Sequence, residues 1–432
     1  DDLIAEIRER EEKGERVLVL EKSPGPVSLS PDERHLVWYD GGERAYLAMD
    51  VRNRRVRNLT EQVPYPGHDE LNDQPMPPPP YGAAGWTDAG TFLVYDRYDI
   101  WELDPTGRRA PRNVTEGVGR AEGLRFRYAQ LDPDAEVVAT AEPILLHAFH
   151  RWTKAAGFYR DRVKGDAPPE RLILEDRHFG RPRKAADADV VMLTRERFDE
   201  FPDLWVTDLD FTDMRRLSDA NPQQADYLWG TAELVEWRSA DGTLLQGILY
   251  KPENFDPSKK YPMMVYFYER MSDGLHGYRT PVPGGSSISF SFYVSRGYLV
   301  FVPDIPYEIG YPGESALHAV VPGVLSLIEK GFVDEKAIGV QGHSWGGYQI
   351  AYMITRTDLF AAAEAGAPVS NMTSAYGGIR WTTGMSRMFQ YERTQSRIGA
   401  TLWEAPHRYI ENSPIFWADK VRTPLLMMHN DQ

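Results

Sequence analysis

The segment Ala337-Ile338-Gly339-Val340-Gln341 is an apolar run with no polar face. A strand of that kind belongs at the centre of a parallel sheet, covered on both sides. It runs directly into Gly342-His343-Ser344-Trp345-Gly346-Gly347, and a helical stretch follows. A strand that turns into a helix through G-x-S-x-G holds its serine at a sharp, strained turn, with the hydroxyl clear of the sheet. The flanking positions must be small, because a β-carbon there would strike the neighbouring strand or helix. The helix N-terminus behind the serine favours negative charge at a reacting carbonyl. This feature requires an α/β fold around it and marks Ser344 as a candidate nucleophile.

The surrounding residues agree. From about Glu233, strands alternate with helical stretches, the signature of an α/β fold. Strands are predicted at Leu244–Lys251, Met263–Tyr268, Tyr298–Pro303, Ala337–Gly342, Ala361–Ala367 and Leu425–Asn430, with helices near Ser315–Lys330 and Gly347–Thr357.

The first half reads differently. Four times a turn of Asp, Pro or Gly precedes a short apolar strand: His35–Tyr39, Thr91–Tyr95, Glu136–Thr140 and Val190–Thr194. In three of the four a second strand ends in Asp50, Asp104 or Asp208, and a polar stop follows: Asn58-Leu59-Thr60, Asn113-Val114-Thr115 or Arg216-Leu217-Ser218. The third repeat is the most degenerate, around Arg171–Leu174. The period, roughly 45–58 residues, is that of a four-stranded propeller blade. A β-sandwich with recurrent hairpins is the alternative, but sandwiches rarely keep one period. The expected organisation is therefore a β-propeller over residues 1–225, with about four blades visible, followed by an α/β-hydrolase domain with a mostly parallel, doubly wound sheet over 226–432. Pro75–Pro80 reads as a stiff loop between the first two blades rather than a polyproline ligand. Arg8–Lys13 reads as a solvated helix face stopped by Gly14.

Composition narrows the function classes. With Lys+Arg 49 against Asp+Glu 64, the net charge of -15 disfavours nucleic acid as a partner. No apolar run approaches the ~20 residues of a membrane span. The absence of cysteine excludes disulfides, thiol catalysis and Cys-ligated metals. His147 and His150 lack the carboxylate or Cys pattern of a metal site and read as ordinary histidines. No cofactor is expected. Asp1-Asp2-Leu3-Ile4 is not a signal peptide, and the compartment stays open between cytoplasm and periplasm or exterior.

Read in order, Glu233–Gly242, Leu249-Tyr250-Lys251-Pro252, Lys260-Tyr261-Pro262, Gly342–Tyr348 and Ala367-Pro368-Val369-Ser370 resemble the catalytic domain of the prolyl oligopeptidase family of serine peptidases. That family includes prolyl oligopeptidases, dipeptidyl peptidases and acylaminoacyl peptidases, and its members place a β-propeller before an α/β-hydrolase domain. The resemblance implies hydrolysis of short peptides through an acyl-enzyme on Ser344. The Trp345 backbone N–H and the Tyr268 hydroxyl would form the oxyanion hole, and Val369, Met372 and Tyr376 would line an apolar pocket with Trp345. Such a pocket suits Pro, Ala or a larger apolar residue before the scissile bond. Two departures put local geometry in question. Glu269-Arg270-Met271-Ser272 stands where the family has a Gly-Pro turn, and Pro303–Tyr311 lacks the family's Arg-Gly-Ser. In this fold the triad order is Ser, Asp, His. His407 reads as a surface or packing residue, His429 as the start of a loop, and Asp431 as loop structure. The catalytic Asp and His, a last strand and a last helix are expected beyond Gln432, and further blades before Asp1. Peptides are the expected partners, and homo-oligomerisation is open. A carboxylesterase on the same fold and a non-catalytic interaction protein are the alternatives.

Overall fold

The computed structural model describes Lys13, residues 25–282 and residues 287–429. The expected helix face at Arg8–Glu12 and the residue Asp431 lie outside the described residues. The chain divides into two compact units. The first comprises the described residues up to Asn72, then Pro77–Arg195 and Leu204–Ser218. The second comprises Asp73–Met76, Glu196–Asp203 and the described residues from Asp219 on.

The first unit is built from four antiparallel sheets, each formed by one contiguous stretch of chain. They begin at Val27, Ala83, Leu124 and His178. The recurrent residues have structural work. Asp50, Asp104 and Asp208 accept, through Oδ1, the backbone N–H of Arg52 (2.9 Å), Thr106 (2.9 Å) and Thr212 (2.8 Å), closing the turn after a strand. The hydroxyls of the polar stops, Thr60, Thr115 and Ser218, accept the backbone N–H of Tyr46 (3.2 Å), Ile100 (3.2 Å) and Leu204 (2.9 Å). Each stop thus ties the end of a sheet to its neighbouring strand. Consecutive sheets share apolar faces. Tyr46 and Ala48 of the first pack with Phe92 and Trp101 of the second. Leu93 and Ile100 of the second pack with Phe126 and Leu146 of the third. Phe158 of the third packs with Phe179 and Val191 of the fourth.

The third sheet corrects the sequence reading. Glu136–Thr140 is not a strand; Val138 makes a single bridge to Thr87 and donates its N–H to Trp86 O (2.8 Å). The sheet is instead Leu124–Tyr128, Ile144–His150, Ala156–Asp161 and Glu170–Glu175. His147 lies edge-on to Phe158, and burial pushes its imidazole down to about 4. His150 Nδ1 accepts the N–H of Thr153 (3.0 Å).

Asp161 ends the third strand of that sheet, and burial pushes its carboxyl up to about 7. Its Oδ2 is buried without a hydrogen-bond partner. A carboxyl raised on folding stabilises fully below its unfolded value near 4, and that contribution is lost as pH rises through about 7. The Asp161→Asn variant should therefore gain stability relative to wild type between pH 5 and pH 8, by on the order of 3 kcal/mol. Urea unfolding at the two pH values checks this; a constant difference would place the carboxylate in a solvated site.

The second unit holds a seven-stranded sheet. Its strands are β1 (Thr231–Arg238), β2 (Leu244–Lys251), β3 (Tyr261–Tyr266), β4 (Leu299–Pro303), β5 (Val333–His343), β6 (Ala362–Gly366) and β7 (Leu425–Met428). The spatial order is β1-β2-β4-β3-β5-β6-β7. The first two pairings are antiparallel and the remaining four are parallel. Helices cover both faces. On one side α2 (Pro312–Glu329) and α3 (Trp345–Met353) bury Ala319, Val320, Val324 and Tyr348 against Phe301, Val265 and Val340. On the other, α1 (Phe290–Val294) packs with Phe198 against Tyr250, Tyr266 and Val300. Central strands covered twice are apolar throughout, which is why Leu299–Pro303 is buried at every position. β7 is an edge strand, and all four of its apolar side chains are exposed. No helix among the described residues is long and apolar enough to cross a membrane.

Candidate active site

Ser344 stands between β5 and α3 with φ 55° and ψ -109°. A non-glycine residue there carries strain of about 1–3 kcal/mol. Two hydrogen bonds hold it: Ser344 N–H to Gly366 O (2.7 Å) and Tyr348 N–H to Ser344 O (2.9 Å). The glycines after it are required by close approach. A β-carbon on Gly346 would come 2.7 Å from Phe267 O, and one on Gly347 would come 2.5 Å from Gly366 O. The N-terminus of α3 is thereby seated against the C-terminal ends of β3 and β6. Trp345 is the first residue of α3, so its N–H has no acceptor within the helix.

Tyr268 follows β3, half-buried, and its hydroxyl accepts a hydrogen bond from Gln395 Nε2 (3.0 Å). That leaves its O–H hydrogen to donate. Its backbone is fixed by residues whose role the sequence did not announce. Gln349 Nε2 donates to Tyr268 O (2.9 Å) and to Trp345 O (3.1 Å). The Tyr307 hydroxyl accepts from Trp345 Nε1 (3.0 Å) and lies 2.9 Å from both Tyr268 O and Gln349 Oε1. Burial pushes the Tyr307 phenol far above its ordinary range, so it stays a neutral donor.

Glu269–Ser272 keeps a defined turn without the expected glycine and proline. Asp304 Oδ1 accepts the backbone N–H of Met271 (2.6 Å) and Ser272 (2.8 Å). Behind it lies an ion network centred on a buried arginine. Arg397, with 3% of its side chain exposed, contacts Asp73 Oδ1 through Nη2 (2.8 Å) and Glu269 Oε1 through Nη1 (3.1 Å). The same Nη1 donates to Gln395 O (2.8 Å), and the guanidinium sits 4.0 Å from the Tyr307 ring centroid. Asp73 also accepts the Tyr307 N–H (3.2 Å). Gln395 is thus anchored through its carbonyl while its amide orients Tyr268. On the oxyanion role that the resemblance implies for the Tyr268 hydroxyl, Tyr268→Phe should lower kcat by ~10²-fold with KM little changed. Steady-state kinetics decide it; an unchanged kcat would give the second oxyanion contact to a backbone N–H.

A cavity of about 380 Å³ opens beside Ser344. Trp345, Val369 and Met372 line it, but Tyr376 does not. Tyr376 instead packs edge-on against Trp403 (5.8 Å) and Tyr409 (5.3 Å) and donates its hydroxyl to Glu392. Met372 is placed by the start of α4 (Met372–Tyr376). Its N–H donates to Ser413 Oγ (2.8 Å), while Asn371 Oδ1 caps Thr373 N (3.1 Å). The wall is more polar than an apolar pocket requires, because Arg380, Arg387 and Gln390 also line it. Of the two histidines after Ser344, His429 follows β7 and lines the cavity, whereas His407, exposed on α5 (Pro406–Glu411), does not. Among the described residues no group of three His, Asp or Glu is placed to hold a metal ion.

Comparison with known proteins adds to this geometry. Residues 309–432 match the prolyl oligopeptidase family. The chain is 26% identical over 223 residues to the "Probable glutamyl endopeptidase, chloroplastic" of Arabidopsis thaliana, covering 46% of this chain and 21% of that protein. It is 30% identical over 151 residues to dipeptidyl peptidase 8 of Homo sapiens, covering 32% of this chain and 17% of that one. The chain therefore spans about a fifth of the length of these relatives. Its fold is similar to that of puromycin hydrolase, with TM-score 0.61 and 18% identity, over 93% of this chain and 60% of that chain. The stretch that carries the elbow, residues 309–432, is a domain of the prolyl oligopeptidase family.

Proposed function

We propose that the protein is a serine peptidase that cleaves short peptides through an acyl-enzyme at Ser344. The observation that carries this reading is the strained Ser344 at the head of α3, open to a cavity whose lining includes Trp345 and Gln395, the partner of the Tyr268 hydroxyl. In the reaction, Ser344 Oγ attacks the scissile carbonyl carbon and its proton passes to an imidazole base. The carbonyl oxygen becomes an oxyanion held by the Trp345 N–H and the Tyr268 hydroxyl. Collapse of the tetrahedral intermediate breaks the C–N bond, and the base returns the proton to the leaving amine. Water then hydrolyses the ester by the same steps. We read the four face-sharing sheets of the first unit as blades of a β-propeller, with 1–225 and 226–432 as the two domains. Relatives named as a glutamyl endopeptidase and a dipeptidyl peptidase support peptides as the substrate class. The test compares p-nitrophenyl esters with peptide amides on the full-length protein. Amide hydrolysis that disappears on treatment with a fluorophosphonate is expected; turnover of esters alone would make the protein a carboxylesterase.

A further inference from the structure

We infer that the site selects a peptide with an acidic side chain, Glu or Asp, before the scissile bond, and that Arg380 and Arg387 are the residues that select it. The inference rests on the peptidase reading and specifies its substrate.

Arg380 and Arg387 both line the Ser344 cavity, and among the described residues no Asp or Glu lines it. They belong to a hairpin, Ile379–Arg380 against Met385–Ser386, in which Ile379 pairs with Ser386 and Arg380 with Met385. The Arg387 N–H continues the ladder to Gly378 O (2.9 Å). Positions 380 and 387 therefore lie on the same face of the hairpin, diagonally across it. Such diagonal neighbours sit about 7–8 Å apart at the backbone, close enough for two long side chains to converge on one carboxylate.

Neither guanidinium forms an ion pair among the described residues. Arg380 Nη2 donates to the neutral Gln390 Oε1 (2.9 Å), and Arg387 Nε is buried without a hydrogen-bond partner. A chain with net charge -15 has carboxylates to spare, so two unpaired cations on one cavity wall stand against the overall balance. Withdrawing a guanidinium donor from water without an acceptor is unfavourable, and a ligand carboxylate removes that deficit. Arginine also presents a planar fork matched to carboxylate. Val369 and Met372, on the same cavity, would pack the aliphatic part of such a side chain.

The experiment uses three peptide amides identical except for Glu, Gln or Ala before the scissile bond, with the full-length protein, Arg387→Gln and Arg380→Gln. Labelling of Ser344 by a fluorophosphonate, which carries no such side chain, is measured on all three proteins to report an intact elbow. The expected wild-type kcat/KM for Glu exceeds that for Gln by about 10²-fold, falling with added salt, and each variant cuts that ratio at least tenfold while still labelling. Arg380 is exposed, so its variant serves even where Arg387→Gln does not fold. Labelled protein that cleaves Glu and Gln peptides equally overturns the inference and leaves the peptidase reading standing. Absence of labelling in wild type overturns both.

Discussion

The Ser344→Ala variant of the full-length protein is expected to hydrolyse peptide amides about 10⁶-fold more slowly, since a triad without its nucleophile retains only oxyanion and binding contributions. Its stability should change by less than about 1 kcal/mol, because alanine keeps the β-carbon that strains the turn at φ 55°. Ser344→Gly separates the two effects. Glycine adopts positive φ without steric cost, so that variant should be equally inactive yet more stable, by about 1 kcal/mol. An inactive Ser344→Gly with no gain in stability would mean that the elbow is not strained. Appreciable turnover in either variant would remove Ser344 from the chemistry.

The second large effect is expected at Arg397. Its guanidinium is nearly sequestered, and it joins Asp73, Glu269 and the carbonyl of Gln395. Arg397→Met leaves the two carboxylates without their shared cation; breaking a fully buried pair from one side costs about 3–5 kcal/mol, and the partial exposure of Asp73 and Glu269 puts the expected loss at about 2 kcal/mol. Asp73 keeps a weaker contact with Arg270 (3.3 Å), which moderates the loss. The same change frees Gln395 and hence the Tyr268 hydroxyl, so kcat should fall in addition to stability. Urea unfolding and steady-state kinetics on Arg397→Met, and on the same variant carrying Asp73→Asn and Glu269→Gln, test this. The neutralised triple variant should recover much of the stability, because no carboxylate is then left unpaired, but not the kcat. A single variant as stable as wild type would show that the network is solvated.

What was legible in the sequence is what the local chain determines. The elbow could be read because a strand, a turn and a helix are contiguous from Ala337 onward, and its glycines are dictated by backbone contacts that any seated serine would share. The predicted strands of the second unit lie within a few residues of the observed ones. β5 starts earlier, at Val333, because Tyr261 pairs there beyond a bulge that pattern reading cannot foresee. The repeated Asp and Thr of the first unit were visible as a grammar, although their hydrogen bonds were not. Glu136–Thr140 has a strand's composition but only one bridging partner, and pairing is a tertiary fact.

The support of the site was not legible for the same reason. Arg397 meets Asp73 across 324 positions of sequence, and Asp73 precedes the Pro75–Pro80 stretch that reads as a stiff loop. Glu269–Ser272 looked like a departure from a family motif, and the Asp304 carboxylate proves to hold that turn by accepting the Met271 and Ser272 N–H groups. The resemblance puts Tyr376 in the pocket, but its ring packs on Trp403 and Tyr409 and its hydroxyl is taken by Glu392. Arg380 and Arg387 carried no signal until the hairpin brought them onto one face beside Ser344.

The most direct test of the account is to treat the full-length protein with a fluorophosphonate and map the adduct by peptide mass spectrometry. One phosphonyl group is expected, on Ser344, with loss of amide hydrolysis in proportion to labelling. An adduct on another serine, or full peptidase activity in protein that labels at Ser344, would contradict it.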